Sequence, residues 1–175
     1  MFGMKIFDII ESDLHGGSFR VFVSRIGERP TSKKVESYIS KEEELDLYSI
    51  ENLNKFANKV QKNRNDLINL LHSLKAEGKR IAAIGAPAKG MTLLNYCKIG
   101  TETLEFVTEK SSLKVGKFTP GMHIPILGDN ELVAKKIDYG LLLAWNFADE
   151  IMNNLSDFRE SGGKFIIPVP EPKIV

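Results

Sequence analysis

The chain has 175 residues, 42% hydrophobic and 27% charged, with a net charge of +1. That suffices for one domain with a substantial core, and excludes both the large basic field that favours nucleic acid and a polyanionic tail. Cys97 is the only cysteine, so no internal disulfide is possible and a cytoplasmic protein is expected; no apolar run reaches the ~20 residues that cross a bilayer.

Residues 5–11 and 19–25 read as two strands, with Phe19, Val21 and Val23 alternating with Arg20 and Phe22. A strand this close to Met1, with no basic leader before it, suggests a piece of a longer protein. The turn-rich link between them, Asp13 to Ser18, carries His15 ahead of two glycines. Residues 27–48 hold Pro30, several lysines and the acidic run Glu42 to Glu44, the composition of a solvated connector with room for a short helix. From Ser49 to Gly78 the pattern turns helical: Ile50, Leu53, Ala57, Val60, Leu67, Leu71 and Leu74 keep a 3-4 spacing, with Ser49 at the N-cap and Gly78 past the end. Such a stripe fits a helix lying on a sheet, or the seam of a dimer.

Beyond Gly78 strands and helices alternate. Strands are expected at about 80–85, 104–109, 139–145 and 164–169, and helices at 88–98, 130–136 and 147–161, with a loop-rich region at 110–130. Near-continuous apolar strands separated by helices imply a parallel sheet covered on both faces. The fold class is therefore α/β, a Rossmann-like three-layer sandwich preceded by a hairpin-like segment and a long amphipathic helix. Residues 1–48 form the amino-terminal strands and connector, and 49–175 the Rossmann-like part, the whole making one structural unit.

In such sheets ligands bind beyond the carboxyl ends of the strands. Four loops should meet there: Gly85 to Gly90, Thr108 to Lys110, Trp145-Asn146, and Pro168 to Glu171. The first is the most informative. Ile81 to Ile84 runs into Gly85-Ala-Pro-Ala-Lys-Gly90 and then a helix, so backbone N–H groups of the first turn can hold an anion, and Lys89 adds a charge. It is not a P-loop, since Lys89 precedes Gly90 and Met91 follows it. It is a poor dinucleotide fingerprint, since Pro87 stands where the second glycine belongs and has no N–H to offer. Glu109 occupies roughly the ribose-binding position about 20 residues past a glycine loop, with Lys110 beside it to neutralise it. Cys97 sits in an apolar helical pattern and reads as a buried, inert thiol. His72, beside Leu71 on the long helix, has no catalytic setting.

Several stretches together resemble one family: His15-Gly-Gly-Ser18, Gly85-Ala-Pro-Ala-Lys-Gly90, Leu93-Leu-Asn-Tyr-Cys97, Pro120-Gly-Met-His-Ile-Pro-Ile126, Leu141-Leu-Leu-Ala-Trp-Asn146, Ala148-Asp-Glu150, and Gly162-Gly-Lys-Phe165 through Pro168-Val-Pro-Glu-Pro172. In this order they resemble the C-terminal domain of S-adenosylmethionine-dependent sugar C-methyltransferases, which act on nucleotide-linked deoxysugars. The resemblance implies a full enzyme in which a base removes the proton beside a 4-keto group and the resulting enolate carbon takes the sulfonium methyl. The zinc module, the methyl-donor domain and the Tyr-x-Glu-His segment that precede this region in such enzymes have no counterpart here. The chain alone is therefore expected to bind neither S-adenosylmethionine nor metal, to be inactive, and to need a donor domain in cis or in trans.

The same resemblance points to a substrate, an NDP-sugar and most readily a dTDP-sugar. Its expected ligands are Gly85, Ala86, Pro87, Ala88, Lys89, Gly90, Met91 and Thr92, then Glu109, Lys110, His123, Trp145 and Asn146. Asn95 lies further along the helix and is a weaker choice than Thr92. No catalytic residue is assigned; His15, which titrates near neutral pH, is a weak candidate, and a hydrogen-bonded histidine holding its turn is the plainer reading. Two other functions compete: an NAD(P)-binding oxidoreductase module, and a non-enzymatic scaffold pairing through the long helix.

Overall fold

The hairpin predicted at the start of the chain is present in a computed structural model that describes residues 2–175, the side chain of His15 excepted. β1 (Met4–Ser12) pairs antiparallel with β2 (Ser18–Arg25), the register shifting between Ile6 and Asp8. A single 3₁₀ turn, Leu14–Gly16, joins them. The polar stretch that follows is more ordered than a connector: α1 spans Lys33–Glu44. Ser32 starts it from extended backbone, accepting the Val35 and Glu36 N–H groups on its carbonyl. The same residue ties the helix to β1, its N–H donating to Phe7 O and its hydroxyl to Asp8 Oδ1 at 2.8 Å. Sequence pattern understates α1 because its apolar face is thin, Val35 being its one buried residue.

α2 (Ile50–Ala76) is the long helix. Its apolar stripe is not buried along its full length, as the repeat led one to expect. Leu67, Leu71 and Leu74 are buried, whereas Ile50, Leu53 and Phe56 are exposed. The chain divides within this helix into two compact units, 1–58 and 59–175.

The second unit is the α/β sandwich. Its six-stranded sheet has the order β5-β4-β3-β6-β7-β8, from β3 (Ile81–Ile84), β4 (Val107–Thr108), β5 (Ile126–Leu127), β6 (Tyr139–Leu142), β7 (Lys164–Ile167) and β8 (Lys173–Ile174). All neighbours are parallel except β7 and β8. Strand residues alternate between two cores. Ile81, Ala83, Val107, Leu141 and Ile166 pack with the second half of α2 and with α3 (Ala88–Cys97). Ala82, Ile84, Phe106, Leu142 and Phe165 face the other way, with Leu132 of α4 (Glu131–Ala134) and Phe158 of α6 (Ser156–Glu160). Phe158 and Phe165 meet edge to face, ring centroids 5.3 Å apart, the geometry their quadrupoles favour.

Several expected boundaries move. The strand expected at 104–109 keeps only Val107–Thr108 in the ladder, and β5 and β8 are two-residue strands inside stretches that read as loop or tail. The helix expected at 147–161 is a 3₁₀ turn, Trp145–Phe147, then α5 (Ala148–Asn154) and α6. No helix among the described residues is long and apolar enough to cross a membrane.

Candidate functional site

β3 leads into the loop that dominates the sequence, and two of its glycines have separate physical causes. Gly85 has φ +80°, a left-handed conformation that turns the chain off the strand and that a side chain would strain. Gly90 is helical, but a Cβ there would lie 2.6 Å from Leu143 Cβ, so the glycine lets α3 approach the end of β6 closely. Pro87 begins α3 from extended backbone at φ −78°, and the helix has neither a side-chain cap nor an acidic residue in its first turn. The first turn of the helix therefore has no cap or acid of its own to offset its positive end.

The sheet order places this loop at a reversal: the chain runs outward from β3 to β4 and β5, then returns to the other side of β3 as β6. The crevice that such a reversal opens is present as a cavity of about 340 Å³. Gly85, Ala86 and Pro87 line it with Ile84, Glu109, Lys110, Lys114, Asp129, Ala144, Phe147, Glu150, Ile151, Asn154 and Leu155. Ile84, Ala144, Phe147, Ile151 and Leu155 give it apolar lining. Its charged lining comprises Lys110 and Lys114, and the carboxylates Glu109, Asp129 and Glu150.

Glu109 is the best-held charged group in the cavity. Its Oε1 accepts the N–H groups of Lys110 at 2.9 Å and Ser111 at 3.2 Å; its Oε2 accepts Ala86 N–H at 3.2 Å and Lys114 Nζ at 2.9 Å. Burial pulls its pKa upward, but the bonds from Lys114, Ser111 and Ala86 and the charge of Lys114 outweigh that, so the carboxyl lies below its ordinary value. Lys114 Nζ also donates to Ala86 O at 3.0 Å, closing a bridge from the loop after β4 to the loop after β3. The cation that neutralises Glu109 is therefore Lys114, five residues on, rather than the adjacent Lys110 expected from sequence.

Lys89 is not among the cavity-lining residues. Its ammonium lies 4.7 Å from the Trp145 ring centroid and 5.9 Å from that of Phe147, over faces that attract a cation. Burial lowers its pKa. Trp145 and Asn146 lie in the 3₁₀ turn beside the cavity rather than in its lining. Thr92 is exposed and its hydroxyl donates to Ala88 O, one turn back. Asn95 turns away, its amide donating to Met91 O and Pro120 O at 2.8 and 3.1 Å. His123 is exposed, with φ +51°, and does not line the cavity. Nor does the segment after β7, whose Pro168 and Pro170 carbonyls accept the Asn63 amide from α2. His15 lies in the hairpin turn, with its side chain outside the described residues. Cys97 is buried, and burial raises its pKa, as an inert thiol requires.

Sequence reasoning missed Lys114, Asp129, Phe147, Glu150, Ile151 and Asn154. The last four had a signal, since Phe147, Glu150, Ile151 and Asn154 fall at 3-4 spacing on one helical face. Lys114 and Asp129 had none, because they lie in a stretch whose path no periodicity describes.

A mostly parallel sheet with a cavity at the strand reversal defines an α/β protein with a candidate ligand crevice. Residues 13–170 match the family described as C-methyltransferase C-terminal domain, and the chain belongs to that family. It is 34% identical over 174 residues to the C-methyltransferase NovU of Streptomyces niveus, a match covering 99% of this chain and 41% of that protein. The chain thus spans about two fifths of that relative's length.

Proposed function

We propose that this chain is the nucleotide-sugar-binding part of an S-adenosylmethionine-dependent C-methyltransferase acting on a 4-keto-deoxysugar nucleotide. The observation that carries the reading is the crevice beyond β3, β4 and β6, with its apolar lining, its two lysines and the uncapped start of α3 next to it. A flat base suits the apolar surfaces of Ile84, Ala144 and Ile151. A diphosphate suits the N–H groups of Ala88 to Gly90 together with Lys110 and Lys114. The sugar then points toward the rim near Lys89, Trp145 and Asn146, where methyl transfer takes place.

In this reading the chain binds and orients the substrate, which supplies much of the acceleration in reactions of two bound partners. The proton-abstracting base and S-adenosylmethionine belong to a methyl-donor domain, in cis or in trans. Support for such a domain comes from the length of the relative, most of which lies outside the matched region. The single thiol and the nucleotide substrate go with a cytoplasmic site of action. Calorimetry of the chain with dTDP, a dTDP-sugar and S-adenosylmethionine tests the proposal. Binding of the first two and not the third is expected; binding of S-adenosylmethionine without either nucleotide overturns it.

A further inference from the structure

We infer that Glu109 is a positioning residue that shapes the Gly85 turn, and that it has no acceptor left for a ribose hydroxyl. The inference rests on the nucleotide-binding reading of the crevice and deepens it. A carboxylate offers about four lone-pair sites. Here the N–H groups of Lys110, Ser111 and Ala86 and the ammonium of Lys114 supply four donors, two to each oxygen. A ribose diol must displace one of them to bind.

Displacement is costly because the donors are not independent. Lys114 holds Ala86 from both sides, through Glu109 Oε2 and directly through Ala86 O. Gly85 N–H is meanwhile fixed to Thr108 O at 2.8 Å. Glu109 thus pins the residue that follows the left-handed Gly85 and precedes Pro87, so the start of α3 is aimed before any ligand arrives. In its usual place after a glycine loop an acid reads the ribose hydroxyls; here the same position has been turned to holding the loop. The site therefore does not discriminate between ribose and 2′-deoxyribose through this residue.

UDP and dUDP, which differ only at the 2′ position, are the probes. Wild-type chain should bind both within about twofold. Glu109→Gln leaves a single acceptor oxygen for four donors, and should weaken both ligands by the same factor, about tenfold, the effect of one to two lost hydrogen bonds. Amide exchange at Ala86, Lys110 and Ser111 should accelerate in the same variant without ligand. A wild-type preference for UDP of more than about fivefold that Glu109→Gln abolishes overturns the inference, and so does unchanged exchange at the three amides. If neither these nucleotides nor dTDP binds the wild-type chain, the proposed function fails. The exchange measurement then decides the positioning role by itself: faster exchange supports it, and unchanged exchange refutes it.

Discussion

Ile50 and Leu53 near the start of α2 share a helical repeat with Leu67, Leu71 and Leu74 further along, yet the first two are 75% and 54% exposed while the last three are buried. The same contrast separates the two units. Within residues 2–58 the buried hydrophobic residues are Ile9 and Val35, and large apolar side chains such as Phe19, Ile39 and Leu45 are exposed. The unit of residues 59–175 has apolar cores on both faces of its sheet. A stretch of some sixty residues with so small an interior buries too little surface to be stable on that account alone, so its order depends on hydrogen bonds such as Ser32 to Asp8 and on the contacts of its hairpin. A hydrophobic stripe thus specifies a helix and a face, not whether that face is covered.

Paired truncation separates the covered from the uncovered half of α2 most directly. Leu71→Ala should lower unfolding free energy by about 2–5 kcal/mol, the usual cost of emptying a buried leucine site. Leu53→Ala should stay within about 0.5 kcal/mol. Urea unfolding measures both, and equal losses would mean that the start of α2 is covered in solution.

Next in size is Gly90→Ala. The added methyl meets Leu143 Cβ at 2.6 Å, and overpacking of this kind costs about 1–3 kcal/mol. Thermal denaturation should detect it. A neutral result would show that α3 shifts freely on β6, removing the rigid contrast between the second unit and the first.

A pH series probes the second unit through Glu105 and Glu109. Glu105 is held below its ordinary pKa by its hydrogen bond from Arg80, Nε to Oε1 at 2.8 Å, against an upward pull from burial, with the Arg80 charge adding to the downward one. Glu109 is lowered as well. Both bind protons more weakly when folded than when unfolded, so their stabilisation is present above about pH 4.5 and is lost as the pH falls through the lower folded values. Urea midpoints should therefore decline below that pH, and Glu105→Gln should make the decline shallower. An unchanged slope in the variant would remove Glu105 from the account.

The smallest expected effect is a gain. Thr108 Oγ1 is the buried side-chain polar atom without a hydrogen-bond partner among the described residues. Thr108→Val removes that hydroxyl at nearly constant shape and should raise stability by about 1 kcal/mol. A loss of that size would show that the hydroxyl has a partner in solution.

The strand–loop–helix at Ile81 to Cys97 and the parallel sheet were legible because each rests on local chemistry: an apolar run, a glycine turn, a helical repeat. β5 and β8 were not, since a two-residue strand has no periodicity and exists only through the ladder beside it. Part of the crevice was legible for the same reason. Gly85, Ala86, Pro87, Glu109 and Lys110 all sit at strand ends that a βα alternation predicts, and all line the cavity. Thr92, Asn95 and His123 lie in the right motifs but face elsewhere, and the direction of a side chain depends on what its element packs against.

Residue order alone determined that this chain alternates strands and helices and where its glycine loop falls, because these follow from patterns within a few residues of one another, and it pointed to the family through an ordered set of short motifs along the whole chain. Tertiary structure decided that Lys114 rather than Lys110 meets Glu109, that Lys89 faces Trp145, and that α2 is half covered. Those outcomes depend on where loops and helices come to lie against one another, as when Lys114 reaches both Glu109 and the distant Ala86, and that is settled only when the sheet has assembled.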